Sequence, residues 1–316
     1  MNAQIINDRQ SISPILFKPN VLGREFDIVI AKFKGKIALP QLNNVASSTF
    51  KPVLSPKNYD IGVLHLIHKE DNLRWGRQIA QPSGVTVVEN YLMEFELAKT
   101  KAKAGEQMVL IEKAIDKWFL LLRDWLEVLT YQDLSLSEPL GGVQDTGNFL
   151  WSWKGRTIWR GMTASSINIT LGSPAQERAV TLRQWKAAVK NTNASKIPPD
   201  EHLLLRDAIA RLLRGQYNYS IIFSAIAADI TLKIQLEQKL IKSRRDRRLI
   251  KTLLRNTLGK LLDTCETLSI AFPSNTRNDL LAARNKAMHK HARLSREEAK
   301  NCLAVADKIV NTSSKL

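Results

Sequence analysis

The positions of the seven tryptophans limit how this chain can fold, because all of them lie before residue 190 of 316. They occupy positions 75, 118, 125, 151, 153, 159 and 185. The polar stretch that follows, NTNASKIPPDEH, contains Pro198 and Pro199, which stop one helix before Asp200 can cap the next. A chain of this length can form two domains with separate cores, and one domain with a large insertion is the alternative. We predict two domains, residues 1–195 and 196–316.

The first predicted domain carries the patterns of both strands and helices. β-branched and aromatic residues typical of strands are frequent in three segments: 26–39, 61–68 and 149–161. The last of these is expected to form two short strands around Gly155. Helical spacing of apolar residues covers 105–129, and a second helix is expected to start at Ser173 and lead to Trp185. We predict an α+β domain with a role in recognition or regulation.

The second predicted domain has apolar residues at helical spacing throughout. About five helices are expected: 200–215, 217–240, 247–268, 277–290 and a last helix that starts at Ser295. Asp200 is expected to cap the first of them, and Gly215 to end it. Ser295 and Glu298 have the spacing of a capping box. Short connections between the helices favour an antiparallel, all-α bundle.

The net charge favours a polyanionic partner. The chain has 47 basic and 30 acidic residues, an excess of 17 positive charges. Such an excess raises the local concentration of polyanions and speeds their capture, so nucleic acid is the first partner to consider. The alternative is that the charge serves only solubility.

The start of the chain and its apolar stretches favour a cytoplasmic protein that does not contact a membrane. The first twenty residues lack the basic start and apolar run of a secretory signal. The longest apolar stretches, such as 221–230, are expected to be too short for a membrane span. Cys265 and Cys302 lie in helical patterns, where a thiol usually acts as a small buried side chain. We predict no disulfide, no metal site and no cofactor.

The segment LLAARNKAMHKHARLS, residues 280–295, has the residue types that suit cleavage of an RNA backbone. His289 follows Arg284 by five residues and Asn285 by four. Histidine can remove one proton and return another near neutral pH, and arginine can stabilise the charge that grows on the phosphorane. A single copy holds an incomplete site, whereas a twofold axis would bring two histidines and two arginines into one cleft. The alternative is a solvated basic helix end, with His289 and His291 favoured by the helix dipole.

The order of these features resembles the HEPN domain family. Arg284, Asn285 and His289 in ARNKAMH resemble the R-N-x3-H signature at the end of a helix, before a capped last helix. The earlier LLRGQYNYSIIFSAIAADITLKIQL resembles the first helix pair of the family, with Asp229 where glutamate is commoner. The resemblance covers about residues 200–311 and does not extend to the first predicted domain.

This resemblance implies a metal-independent endoribonuclease that works as a homodimer, often as a bacterial toxin or an antiviral effector. It assigns Arg284, Asn285 and His289 to catalysis, and Asp229 and His291 to supporting roles. Some family members that pair with a nucleotidyltransferase have a tyrosine at the position of His291, which puts that pairing in doubt here.

Basic residues in and around the third and fourth predicted helices are the candidate RNA-binding residues. Arg244, Arg248, Lys251 and Arg255 recur at steps of four, three and four, which predicts a stripe on one side of a single helix. The others are Lys286, Lys290 and Arg293. Two alternatives stay open: a bundle that binds RNA or a nucleotide without chemistry, and a partner of a nucleotidyltransferase in a toxin–antitoxin pair. A regulatory protein partner is a further expectation.

Overall fold

The computed structural model of this chain describes residues 2–8, 15–42, 54–55, 76–78, 86–88, 91–132, 134, 148–153, 156–160, 178–289, 293–314 and 316. The chain divides into two compact units, Met1–Ile197 and Pro198–Leu316. The first unit combines strands with helices, and the second is helical, as far as the structure describes them. The predicted class, α+β followed by helices, is confirmed at this level.

The largest sheet of the first unit has six strands in the order β11-β10-β1-β9-β4-β3, and its neighbouring strands are antiparallel. These strands are β1 (Asn2–Asp8), β3 (Glu25–Ile30), β4 (Phe33–Ala38), β9 (Tyr91–Glu96), β10 (Asn148–Trp153) and β11 (Arg156–Arg160). A three-stranded sheet contains β2 (Ile15–Phe17), β7 (Gly76–Gln78) and β8 (Thr86–Val88), and a two-stranded sheet pairs β5 (Gln41–Leu42) with β6 (Leu54–Ser55). The strands predicted within 26–39 and 149–161 are therefore confirmed as two hairpins. The strand predicted at 61–68 lies outside the described residues.

The hairpin of β3 and β4 is tight because its two turn residues adopt left-handed backbone angles. Ala31 and Lys32 have φ of 47° and 70°, and Ile30 pairs with Phe33 across the turn. Positive φ at both central residues suits the right-handed twist of the strands. A Cβ on Gly35 would lie 2.5 Å from the carbonyl oxygen of Glu94, so β4 can approach β9 closely only with glycine there.

Among its described residues, the first unit also contains two α-helices, α1 (Lys101–Thr130) and α2 (Leu182–Asn193). Thr181 and Gln184 form a capping box at the start of α2, whereas the predicted start at Ser173 lies outside the described residues. Asn193 accepts hydrogen bonds from the backbone N–H of Val29 and from Trp118 Nε1, at 3.0 and 3.3 Å. One amide at the end of α2 therefore connects α2 with both the hairpin and α1.

The second unit contains α3 (Asp200–Leu213), α4 (Tyr217–Lys242), α5 (Arg247–Leu253), α6 (Leu258–Thr267), α7 (Ala282–His289) and α8 (Arg296–Ser313). A π-helical segment, Thr276–Leu281, leads directly into α7. Gly215 has a φ of 73° and follows the end of α3, as predicted. Asp200 is the first residue of α3 and not its cap, because Pro199 takes the extended cap position. The Asp200 carboxylate instead lies in the first turn, where the helix dipole favours negative charge.

The prediction of a single helix at 247–268 is wrong, because the chain forms two helices there. α5 ends at Leu253, and Thr257 takes extended backbone angles before α6 starts. Asn256 and Thr257, residues that favour caps and turns over helix interiors, end the helix here although the leucine spacing continues from Leu254 to Leu258. The residues after Leu253 therefore turn away from the axis of α5.

α4 is the central helix of the second unit and packs against α3 and α8. Its buried side includes Ile221, Ala225, Ala228, Leu232 and Leu236. By length and composition alone, α4 would also suit a membrane span, with a mean hydropathy of 1.3 over its most apolar 18 residues. The expectation that every apolar stretch is too short for a span therefore does not hold for α4. Half of that window is buried inside the unit, which is also typical of a core helix in a soluble protein.

The predicted capping box at the start of α8 is confirmed. The backbone N–H of Glu298 donates to Ser295 Oγ at 3.1 Å, and the backbone N–H of Ser295 donates to Glu298 Oε2 at 2.9 Å. The hydrogen bond from the Ser295 backbone, together with Lys286 Nζ and the Ser295 hydroxyl, lowers the pKa of the Glu298 carboxyl. Because the folded pKa is depressed, the stability that this carboxylate contributes is present above its ordinary pKa and is lost as the pH falls through the folded pKa.

Replacing Ser295 with alanine is expected to lower the free energy of unfolding of the second unit by about 1 kcal/mol, because the Glu298 N–H loses its acceptor. Urea unfolding near neutral pH measures the change. Thr312→Ala, at an exposed position near the other end of α8, is the control and is expected to change stability by less than about 0.5 kcal/mol. An equal loss in both variants would contradict the capping role.

Candidate functional site

α7 carries the predicted catalytic residues, and its start is held by the preceding π-helical segment. Arg277 Nη2 donates to Asp263 Oδ1 at 2.8 Å and to Glu266 Oε2 at 2.9 Å, which connects this segment to α6. Those hydrogen bonds raise the pKa of the Arg277 guanidinium above its ordinary value. Leu280 is buried in the unit core. A π-helical segment inserts an extra residue per turn and so changes which side of the following helix each residue faces.

Arg284 and Asn285 lie together on α7. Arg284 is half-buried, and its Nη1 donates to Oδ1 of the exposed Asn285 at 3.1 Å. His289 is the last residue of α7, and its side chain lies outside the described residues, as do Lys290 and His291. Five helical steps separate Arg284 and His289, which is about 7.5 Å along the axis and about 140° around it. One chain therefore carries Arg284 and Asn285 five and four residues before His289, which is the last residue of the helix.

Asp229 lies on α4, which packs against α7. Its Oδ2 accepts a hydrogen bond from Lys233 Nζ at 2.6 Å, and both side chains are partly buried. The structure therefore pairs Asp229 with Lys233, which lies one turn away on the same helix. The predicted role in orienting Arg284 and His289 stays a prediction.

Two further candidate RNA-binding residues are Lys286 on α7 and Arg293 just before α8. Lys286 Nζ donates to Glu298 Oε1 at 3.1 Å, so Lys286 is held by the carboxylate of the α8 capping box. Both side chains of this ion pair are substantially exposed, and such pairs contribute little and open readily. Arg293 is exposed just before α8.

The longest run of basic residues forms a bend rather than the predicted stripe. We call residues 239–255 the basic corner, since they join the end of α4 to the turn after α5. Arg244 precedes α5 with a φ of 52°, and Arg255 follows its end. Of the four predicted stripe residues, only Arg248 and Lys251 lie on α5, so the prediction of one stripe on one helix is wrong. The cause is Asp246, which caps α5 and separates it from α4.

The basic corner is exposed and strongly positive. Its eight basic residues are Lys239, Lys242, Arg244, Arg245, Arg247, Arg248, Lys251 and Arg255, and all are exposed. Asp246 is the single acidic residue in this sequence range, and its carboxylate accepts hydrogen bonds from the N–H groups of Arg248 and Leu249. Four of the eight, Lys239, Lys242, Arg245 and Arg247, were not among the predicted RNA-binding residues. The high density of basic residues in the sequence was the signal that could have identified them.

Both cysteines are buried in the second unit. Burial raises the pKa of Cys265 to about 11 and that of Cys302 to about 12. Cys302 Sγ contacts the carbonyl oxygen of Ile221 at 3.8 Å. Within the part of the chain that the structure describes, no three His, Cys, Asp or Glu side chains are grouped closely enough to hold a metal ion.

Comparison with known proteins gives no relative for this chain: no protein-family model, no curated protein and no solved structure matches it. Any functional proposal therefore depends on the residues and geometry described above.

Proposed function

We propose that the second unit is a HEPN-type, metal-independent endoribonuclease that acts as a homodimer. The observation that carries the proposal is the Arg284–Asn285 pair on α7, five residues before the helix ends at His289. The R-N-x3-H spacing, the capped helix that follows it and the exposed basic corner support the same function. We further propose that the protein is a cytoplasmic toxin or antiviral effector.

In the proposed reaction, the ribose 2′-hydroxyl attacks the neighbouring phosphorus and the 5′-oxygen leaves. His289 of one copy takes the proton of the 2′-hydroxyl, and His289 of the other returns a proton to the leaving oxygen. Arg284 donates hydrogen bonds to the phosphorane oxygens, whose negative charge grows in the transition state. Its hydrogen bond to Asn285 holds the guanidinium in place, although this bond can be exchanged for a phosphate oxygen. The products carry a 2′,3′-cyclic phosphate and a 5′-hydroxyl.

Cleavage of RNA in the presence of EDTA is the first test of this proposal. The purified full chain is expected to cut an RNA with single-stranded regions in EDTA, and the products are expected to carry cyclic-phosphate ends. Mass spectrometry of the fragments identifies the ends. The same RNA with 2′-deoxy nucleotides is the control and is expected to remain intact, since it lacks the attacking group. Cleavage that requires a divalent ion, or that proceeds on the deoxy control, would contradict the mechanism.

A second candidate function is RNA binding without chemistry, which the basic corner favours independently of His289. Eight exposed basic residues within seventeen positions can hold a phosphate backbone without any catalytic residue. On this alternative, the first unit, or a regulatory protein partner, would select the RNA.

The double variant Arg248→Glu, Lys251→Glu is expected to weaken RNA binding at low salt by at least about tenfold, because two phosphate contacts are replaced by repulsion. The slope of log K against log salt concentration should fall by about one to two units. Fluorescence anisotropy with labelled RNA measures both. Lys308→Glu, an exposed lysine of α8 outside the basic corner, is the matched control. Equal weakening in the control would show that only net charge matters.

A further inference from the structure

α4 has an apolar side that the described part of the chain leaves exposed. Tyr219, Ile226, Ile234 and Ile241 are exposed by 59%, 40%, 38% and 58%, and Ile230 between them is half-buried. We call these five residues the α4 stripe. At 3.6 residues per turn they fall within an arc of about 80° on the side of α4 opposite its buried residues. The half-buried Phe223 and the exposed Glu237 lie within the same arc, so this side is mostly apolar and carries one acid.

The spacing of the α4 stripe is the same in both directions. From Tyr219 the steps are seven, four, four and seven residues, so the pattern is symmetric about Ile230. A twofold interface requires this property, because each contact made by one copy is repeated in reverse by the other. We infer that the α4 stripe binds the α4 stripe of a second copy of this chain, antiparallel, with the twofold axis at Ile230. Ile226 then meets the second copy's Ile234, and Tyr219 meets its Ile241. The same register brings Phe223 against the second copy's Glu237, so this one contact is not apolar.

The charges beside the stripe fit this antiparallel arrangement. Asp229 and Lys233 lie on one flank of the stripe, with Oδ2 and Nζ 2.6 Å apart. In an antiparallel pair, that flank faces the same flank of the other copy. Asp229 of one copy and Lys233 of the other then differ by only about two residues, or 3 Å, along the axis. The four side chains can form an alternating network of two acids and two bases, which a parallel arrangement would not place together.

The size of the stripe suits a reversible dimer. Twenty-two helical steps from Tyr219 to Ile241 span about 33 Å. Two strips of that length and about 15 Å wide, flanks included, enclose about 1,000 Å², which is near the lower bound for a specific interface. We therefore expect association at micromolar concentrations.

This inference deepens the proposed dimeric nuclease, since it names where the two copies meet, but its test needs no RNA. Sedimentation equilibrium of the full chain is expected to give the mass of two chains. Ile226→Asp and Ile234→Asp each place a charge against an isoleucine of the second copy, and each should weaken association at least about 100-fold. Ile197→Asp, at a residue 73% exposed and outside the stripe, is the matched control and should leave the dimer intact. Circular dichroism checks that each variant is folded.

A charge exchange tests the arrangement itself. Asp229→Lys alone and Lys233→Asp alone each bring four like charges together in a homodimer, so each variant is expected to be a monomer. Mixed in equal amounts, they are expected to form a heterodimer, because every lysine of one then faces an aspartate of the other. Three results would each overturn the inference. They are wild-type protein that stays monomeric at about 100 μM, an Ile226→Asp variant that stays dimeric, and single charge variants that do not associate on mixing. Binding of monomers to phosphatidylglycerol vesicles through the α4 stripe would also overturn the inference, because the stripe would then bind a membrane and not a second copy. An Ile226→Asp variant that is still dimeric and still cleaves RNA would overturn this interface and leave the Arg284–His289 chemistry standing, since both copies of His289 would still be present. A dimer that depends on the stripe but does not cleave RNA would leave the interface standing and contradict the proposed reaction.

Discussion

Alanine at position 289 is expected to lower the rate of RNA cleavage by a factor of about 10² to 10⁴, the usual contribution of a general acid or base. The proposed reaction needs a proton removed from the 2′-hydroxyl and another returned to the 5′-oxygen, and alanine can do neither. Single-turnover cleavage with enzyme in excess measures the chemical step. RNA affinity is expected to change much less, since the basic corner remains intact.

Arg284→Ala is expected to cause a loss of similar size through a different step. Without the guanidinium, the growing charge on the phosphorane has no fixed donor, which typically costs a factor of 10² to 10³. Arg284→Lys should recover only part of the rate, because an ammonium lacks the planar pair of donors.

Arg296→Ala serves as the matched control for both variants. Arg296 is an exposed arginine at the first position of α8, outside the proposed site. Its loss should change the rate by less than about twofold. Full activity in folded His289→Ala protein would eliminate the nuclease proposal and leave the RNA-binding alternative.

Trp185→Ala is expected to lower the free energy of unfolding of the first unit by about 3–5 kcal/mol. Trp185 is fully buried, and its ring meets Phe17 and Phe26 edge to face at centroid distances of 5.2 and 5.9 Å. Phe17 belongs to β2 and Phe26 to β3, so this one side chain of α2 packs against two of the three sheets. Alanine would leave a cavity and remove both ring contacts.

Urea unfolding measures this change, with the two units treated as separate transitions. Leu120→Ala, at a leucine of α1 that is 48% exposed, is the control and should cost less than about 1 kcal/mol. A loss below about 1 kcal/mol in Trp185→Ala would show that the core repacks around the missing ring.

Local features of this fold could be predicted from the sequence because their physical causes are local. The strand pattern of residues 26–39, the β10–β11 hairpin and the capping box of Ser295 and Glu298 each depend on residues a few positions apart, whereas the turn between β3 and β4 was not predicted. The order of strands in the six-stranded sheet could not be predicted. β1 pairs with β9 and β10, which lie far along the chain, and no short-range pattern encodes such a choice.

The candidate site shows the same limit at a finer scale. Arg284, Asn285 and His289 could be chosen from spacing alone, since one helix carries them. The end of α5 at Leu253 could not be predicted, because the leucine spacing continues from Leu254 to Leu258 through the break. Likewise, the α4 stripe is indistinguishable from a core face in the sequence. Its exposure follows from which neighbours pack against α4, a property of the tertiary structure.

The separation of residue types between the two units gives each unit its own optical or chemical reporter. Every tryptophan lies in Met1–Ile197, and both cysteines lie in Pro198–Leu316. Indole emission therefore follows unfolding of the first unit alone. Since Cys265 and Cys302 are buried, with pKa values of about 11 and 12, pulsed alkylation near neutral pH modifies them only when the helical unit opens. The unmodified chain thus allows the opening of each half to be timed in a single sample, without an added label in either.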